Sequence, residues 1–318
     1  MKQAKKNKKL LGILAGLLAV SAGLALLPSS GDGLSRNASR FQVADTSSVI
    51  HITMRSAGTD RILERQDHGW QINGKYDADP DMVRVLLSVI RHVSVSRKAG
   101  AAEAPDILNY FGEYGTTVTL TSKGNKQRIF EITGNANRTT TWIRDESSRE
   151  LFETELPGYE SYVAGIFEVT EADWRDRLLF NSTWRSLRSL EIQYPTEPAH
   201  NMRIEFDGSF FAIPGVAALD SSALLQYLDH YAFFQADRFL DEPTAIQMGD
   251  LTNGEPQVRI TVEDIREKFS GKLELFGPVS GESAIVGRFN ERDIVLINRR
   301  RADALMARKD DFLLRTTQ

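Results

Sequence analysis

The 318-residue sequence predicts an α+β fold. It consists of two tandem, related β-β-β-α-β-β-β-β-α units with largely antiparallel sheets, preceded by one N-terminal transmembrane helix. Three observations predict this. A lysine-rich start runs into an uncharged apolar stretch. The rest of the chain matches itself at an offset of about 141 residues. Within each copy, short runs of alternating apolar and polar residues surround few helical periods, as expected of antiparallel strands with helices set against them.

Residues 1–9 form a basic stub with Lys2, Lys5, Lys6, Lys8 and Lys9. Residues 10–27, Leu10 to Leu27, carry no charge. At ~1.5 Å per residue this run spans ~27 Å, close to the ~30 Å hydrocarbon core of a bilayer. Lysines flanking such a run stay in the cytoplasm, which places the body outside it, in the periplasm, anchored to the inner membrane by a single pass. Ser21-Ala22-Gly23 has the small residues of a cleavage site, but Leu24-Ala25-Leu26-Leu27 follows at once, so an uncleaved signal-anchor is expected. Residues 28–46 read as a flexible tether opened by Pro28-Ser-Ser-Gly-Asp-Gly33. The first unit is expected over 47–183 and the second over 184–318.

The internal repeat fixes the elements of each unit. Trp70-Gln-Ile-Asn-Gly-Lys-Tyr-Asp-Ala-Asp79 aligns without gaps on Phe211-Ala-Ile-Pro-Gly-Val-Ala-Ala-Leu-Asp220. Each copy reads as a strand, a turn at Gly74 or Gly215, and a helix capped by Asp79 or Asp220, with Pro80 at the first helical position of the first copy. Apolar residues then recur at 83, 86, 87, 90 and 93, and at 224, 227, 228, 231 and 234, so each helix presents one face to a sheet. Val49–Met54 and Arg61–Arg65 precede the first match as strands, and Leu190–Tyr194 and Asn201–Phe206 precede the second. Four further strands follow each helix, near 117–121, 128–133, 141–144 and 150–153 in one copy and near 257–261, 271–276, 284–287 and 293–297 in the other. Short helical stretches near 157–167 and 300–308 close the units. Asp173-Trp-Arg-Asp-Arg-Leu-Leu-Phe180 is echoed by Lys309-Asp-Asp-Phe-Leu-Leu-Arg315.

Composition narrows the chemistry. The chain is 41% hydrophobic and 26% charged, which suits a globular body. It has no cysteine, which excludes disulfides, thiol catalysis and cysteine-ligated metals. The first thirty residues hold five lysines and no acid, so the remaining 34 basic and 43 acidic side chains leave the rest at −9. Such a body is a poor phosphate binder, and no nucleic-acid partner is expected.

No motif rises to a catalytic or metal constellation. Asp77-Ala-Asp79-Pro-Asp81 begins like a calcium loop, but Met82 and Ser88 stand where the loop needs glycine and glutamate, so a capped helix start explains the acids. His51, His68, His92, His200 and His230 form no metal-binding spacing. Serine-hydrolase and phosphate-loop glycine motifs are missing. Arg299-Arg300-Arg301 reads as a solvated face. Trp70 and Trp142 align on Phe211 and Ile285, a sign of core packing. Trp174 and Trp184 bracket the junction between copies and are the candidate inter-unit or ligand contacts. No catalytic residue, cofactor or metal is assigned.

Two elements carry a family resemblance: Gly69-Trp-Gln-Ile-Asn-Gly74, and Arg175-Asp-Arg-Leu-Leu-Phe180 running into Leu190-Glu-Ile-Gln-Tyr194. With the lysine-rich start, they make most of 45–318 resemble the domain of unknown function 4340 family. The resemblance implies an anchored envelope protein beside ABC-type transport components of the gliding-associated kind, with no established catalytic residues to carry over. The expected function is therefore a non-enzymatic accessory or scaffold subunit with protein partners in such an assembly. The alternative is a binding module that captures a polysaccharide, peptide or lipid in a cleft between the two units. A third reading, a hydrolase, needs two carboxyl groups ~5–9.5 Å apart in a pocket.

Overall fold

A computed structural model describes residues 38–145, 150–158 and 162–314. The expected stub, anchor and most of the tether lie outside these residues. In chain order the strands are β1 (Val49–Ser56), β2 (Thr59–Gln66), β3 (Gly69–Ile72), β4 (Tyr76–Asp77), β5 (Ser94–Lys98), β6 (Thr116–Ser122), β7 (Lys126–Gly134), β8 (Thr141–Asp145), β9 (Phe152–Glu155), β10 (Leu178–Phe180), β11 (Leu187–Gln193), β12 (Met202–Phe206), β13 (Phe211–Ala212), β14 (Phe234–Gln235), β15 (Arg238–Phe239), β16 (Val258–Asp264), β17 (Gly271–Pro278), β18 (Ala284–Phe289) and β19 (Asp293–Asn298). The α-helices are α1 (Pro80–His92), α2 (Ala104–Tyr114), α3 (Gly165–Glu168), α4 (Glu171–Trp174), α5 (Ser221–Leu228), α6 (Glu242–Gln247), α7 (Gly249–Thr252) and α8 (Arg299–Asp303).

The described residues fall into two compact units. One comprises residues through Asp60 together with Arg84–Glu168; the other comprises Arg61–Val83 and residues from Val169 onward. In the first unit, strands run in the order β1-β6-β7-β8-β9-β5, and each neighbouring pair is antiparallel. Pairing is set by alternation: Ile52 faces Leu120 and Met54 faces Val118, all four buried. In the second unit the order is β13-β12-β11-β16-β17-β18-β19-β15, again antiparallel throughout. Here Leu190 faces Val262 and Ile192 faces Ile260, also buried. The ribbon β10–β14 and the meander β2–β3–β4 complete it. Six strands of each unit thus follow one order, β1-β6-β7-β8-β9-β5 in one and β11-β16-β17-β18-β19-β15 in the other.

The turns follow from backbone chemistry. Asn73 and Gly74 both have positive φ, 53° and 62°, and Gly215 has φ 84°. Glycine enters this region without steric cost and asparagine more readily than most residues. The Asp79 carboxylate accepts the Asp81 and Met82 N–H groups, and Asp220 accepts those of Ser222 and Ala223. These caps start α1 and α5. Val83, Leu86 and Ile90 are buried on α1, and Leu224, Tyr227 and Leu228 on α5.

The α+β expectation is corrected here. The chain is mostly antiparallel sheet, about 39% strand against 26% helix, in large sheets. Apart from α1, α2 and α5, the described helices are of one or two turns. The β-β-β-α-β-β-β-β-α string also lacks the strand and helix material between the first helix and the later strands: β5 and α2 in one unit, β14, β15, α6 and α7 in the other. Nor do helices cover only one face. In the second unit, Leu273, Leu275, Val295 and Ile297 join the core beneath α5, while Phe276, Val286 and Leu296 on the opposite face pack with Ala245 and Met248. In the first unit, Ile107 and Phe111 of α2 pack on Trp142 and Leu151. Full burial of each such side chain contributes roughly 1.5–3 kcal/mol, so covering a second face is a strong reason for these short helices to form. No described helix is long and apolar enough to cross a membrane. Leu10–Leu27 lies outside the described residues.

Candidate functional site

The most unusual side-chain arrangement of the second unit grows from the Asp173–Phe180 segment. Thr170 accepts the Asp173 N–H and starts α4, whose last residue, Trp174, is 0% exposed. The chain then extends, and Ala78 and Arg175 form an isolated antiparallel bridge. The Asp79 N–H donates to the Trp174 carbonyl at 2.8 Å, so the residue that caps α1 is itself held by this segment. The second copy does the same: Leu219 bridges Leu313, and the Asp220 N–H donates to the Phe312 carbonyl at 2.8 Å. The Asp173–Phe180 segment and its echo near 310–314 are therefore straps on a capped helix start.

Arg175 is the centre of the first strap. Its guanidinium carbon lies 3.6 Å from the ring centre of Tyr76 and 3.7 Å from that of Phe239, so the planar group is held between two aromatic faces. Its Nη2 lies 3.0 Å from Asp293 Oδ2, and the two side chains are 9% and 8% exposed. Arg292 reaches the same carboxylate at 3.1 Å from the solvent side, which raises the Arg292 pKa. A buried ion pair of this kind is costly to desolvate and costlier to break.

Three acids lie beside the strap. The Asp176 N–H donates to the Asp77 carbonyl at 2.8 Å, and Arg177 Nη2 stands 3.6 Å from Asp79 Oδ2. Burial raises the Asp176 pKa, and the charges of Asp79 and Asp77 add to it, against the Leu178 N–H and Arg177. Among the described residues, no group of three or more histidines, aspartates or glutamates is arranged to hold a metal ion.

A second charged cluster recurs in both units. Glu274 of β17 is 4% exposed on its side chain and meets Arg259 at 3.0 Å, Arg288 at 2.6 Å and Lys272 at 3.5 Å. Arg288 also donates to the Thr252 carbonyl at the end of α7. In the first unit, Glu131 of β7 pairs with Arg144 of β8, whose guanidinium lies 4.5 Å from the ring centre of Phe111 on α2. In each unit a glutamate on the central strand holds an arginine that reaches the covering helix. The sequence carried a signal for this: Glu131 and Glu274 occupy the same place in the aligned strands.

These carboxylates set a pH response. Burial opposes ionisation of Glu274, but Arg288 and Arg259 outweigh it and hold its pKa below the ordinary value. Burial likewise opposes ionisation of Asp264, and Arg266 and Ser186 outweigh it. A depressed carboxyl stabilises the fold above its unfolded pKa and ceases to do so as pH falls through its folded pKa. Asp176 has the opposite sign: its contribution is present at low pH and is lost as pH rises through its raised value. The depressed carboxyls make urea stability fall as pH drops below about 4.5, the ordinary carboxylate range, while Asp176 acts with the opposite sign above it. Glu274→Gln should flatten that slope. An unchanged slope in the variant would show that Glu274 does not contribute.

Of the two candidate contacts, Trp174 is sealed inside the second unit, while Trp184 is 49% exposed with the Arg185 guanidinium 4.8 Å from its ring centre. Trp142 is buried and stacks on Tyr110 at 5.8 Å. Arg301 of the basic run pairs with Asp237 at 2.9 Å. Neither the Arg175–Asp293 lock nor the two glutamate clusters were assigned from sequence.

Comparison with known proteins found no matching family model, no matching curated protein and no matching solved structure.

Proposed function

We propose that the chain is a non-enzymatic, membrane-anchored envelope protein, an accessory or scaffold subunit of an ABC-type transport or gliding-related assembly. The observation that carries the reading is the run of five lysines ahead of an uncharged apolar stretch, Leu10 to Leu27, in a chain whose remaining residues are acidic. The resemblance of Gly69–Gly74 and Arg175–Phe180 to the domain of unknown function 4340 family supplies the transport context. The geometry of that second motif supports a packing role: Trp174 is sealed in the core, and Arg175 is engaged by Tyr76, Phe239 and Asp293. The motif is thus read as the strap that holds a helix start, and binding to partners falls to other surfaces.

Placement is tested by fractionating cells that express the full chain with a C-terminal tag. The chain should remain in the inner membrane after carbonate extraction. The tag should be cut by protease once the outer barrier is opened, with the cytoplasmic membrane intact. A tag protected until the cytoplasmic membrane is lysed would reverse the topology, and release by carbonate would remove the anchor.

A further inference from the structure

The exposed Trp184 belongs to a patch that neither strap nor core uses. The turn before β11 and the segment after β16 are tied edge to edge. The Ile265 N–H donates to the Ser186 carbonyl at 2.8 Å, and Ser186 Oγ donates to Asp264 Oδ2 at 2.7 Å. Arg266 binds Asp264 at 3.2 Å and also reaches the Asn181 carbonyl and Ser186 Oγ. This tie leaves two large apolar side chains outward, Trp184 at 49% and Ile265 at 59% exposure. Cations flank them along the same two segments. Arg185 lies over the Trp184 ring, and Arg266 and Lys268 lie 4.4 and 4.7 Å from the ring centre of Phe269. Arg188, the second residue of β11, is exposed. Among the described residues, Arg185, Arg188 and Lys268 pair with no acid. Of the local acids, Asp264 is neutralised by Arg266, Glu263 faces Arg203, and Glu267 is exposed.

An exposed tryptophan and isoleucine flanked in the chain by unpaired cations, on a body of net negative charge, are complementary to one surface above others: apolar at shallow depth and negatively charged at its face. We propose that the Trp184–Ile265 edge rests on the anionic phospholipid surface of a bilayer. Trp184 and Ile265 would enter the headgroup level, and Arg185, Arg188 and Lys268 would meet lipid phosphates. This deepens the membrane reading above by adding a second contact, made by the folded body.

Tryptophan emission tests it in the full chain, because the first 37 residues contain no tryptophan. The chain is reconstituted into vesicles of brominated phosphatidylcholine, with and without about one-third phosphatidylglycerol, and tryptophan quenching is read together with flotation. Quenching is expected with phosphatidylglycerol and not without it. It should disappear in Trp184→Phe and at high salt, and fall at least several-fold in the triple variant R185Q/R188Q/K268Q. A chain that floats with both vesicles but is unquenched in both, equally quenched in both, or quenched equally in Trp184→Phe overturns the proposal and leaves the anchor standing. A chain that floats only with the anionic vesicles keeps the patch and removes the anchor. Protection of Trp184 from acrylamide in unbrominated vesicles that rises with protein density, without bromine quenching, assigns the edge to a second copy and overturns the lipid assignment.

Discussion

Replacing Asp293 with alanine is expected to destabilise the second unit by about 3–5 kcal/mol, because it leaves the Arg175 guanidinium buried without its counter-charge. Arg175 cannot neutralise itself by losing a proton. Nor can it swing out freely, since Tyr76 and Phe239 hold both of its faces. Arg292 would lose a partner too, but it is 60% exposed on its side chain and water replaces the contact. Urea unfolding followed by circular dichroism reads the effect. Arg175→Lys keeps the charge and loses both the fork and the stacking, so it should also destabilise. The paired variant Arg175→Met with Asp293→Leu should recover much of the loss, since apolar replacement of a buried pair is often neutral. If Asp293→Ala unfolds at the wild-type urea concentration, the lock carries no stability and the strap reading loses its main support.

Trp174→Ala is expected to cost about 3–5 kcal/mol, as truncation of a fully buried aromatic leaves a large cavity. The loss should be transmitted to α1. The Trp174 carbonyl accepts the N–H of Asp79, the residue whose carboxylate caps that helix. Trp174→Phe should cost distinctly less, because among the described residues the indole Nε1 has no hydrogen-bond partner to lose. Amide hydrogen exchange checks the coupling: protection at Asp81 and Met82 should fall in Trp174→Ala more than in Trp174→Phe. Equal exchange in the two variants would separate the strap from the helix start.

Much of the fold was legible where local chemistry decides it. Alternation in Val49–Met54 and Leu190–Tyr194 marks half-buried strands, and the caps at Asp79 and Asp220 start helices in both copies. The aligned strands 128–133 and 271–276 also place Glu131 on Glu274, at an offset of 143 residues, and their shared role only the fold makes visible. What was missed depends on tertiary context. Ala104–Tyr114 follows a run of alanine and glycine that reads as loop, yet Pro105 in the first turn and the spacing of Ile107 and Phe111 are helix signals. Glu242–Gln247 has Asp241 as a cap and Pro243 in its first turn, but it is too short to show a period. Both helices exist because Trp142 in one unit and Phe276 in the other point away from the main core and need cover. The straps show the same limit. Asp173–Phe180 was recognisable as a motif, but its link to Asp79, roughly a hundred residues earlier, is a long-range hydrogen bond with no sequence period.

On the proposed reading, the Arg175 motif serves packing, and the anchor and exposed surfaces serve assembly. Purification of the tagged full chain from native membranes in mild detergent, after brief cross-linking and with mass spectrometry of what comes with it, tests this most directly. Membrane components of an ABC-type transporter should be recovered at near-constant ratio. Repeated recovery of the chain alone, with cross-linking confirmed on a control complex, would contradict the proposed role.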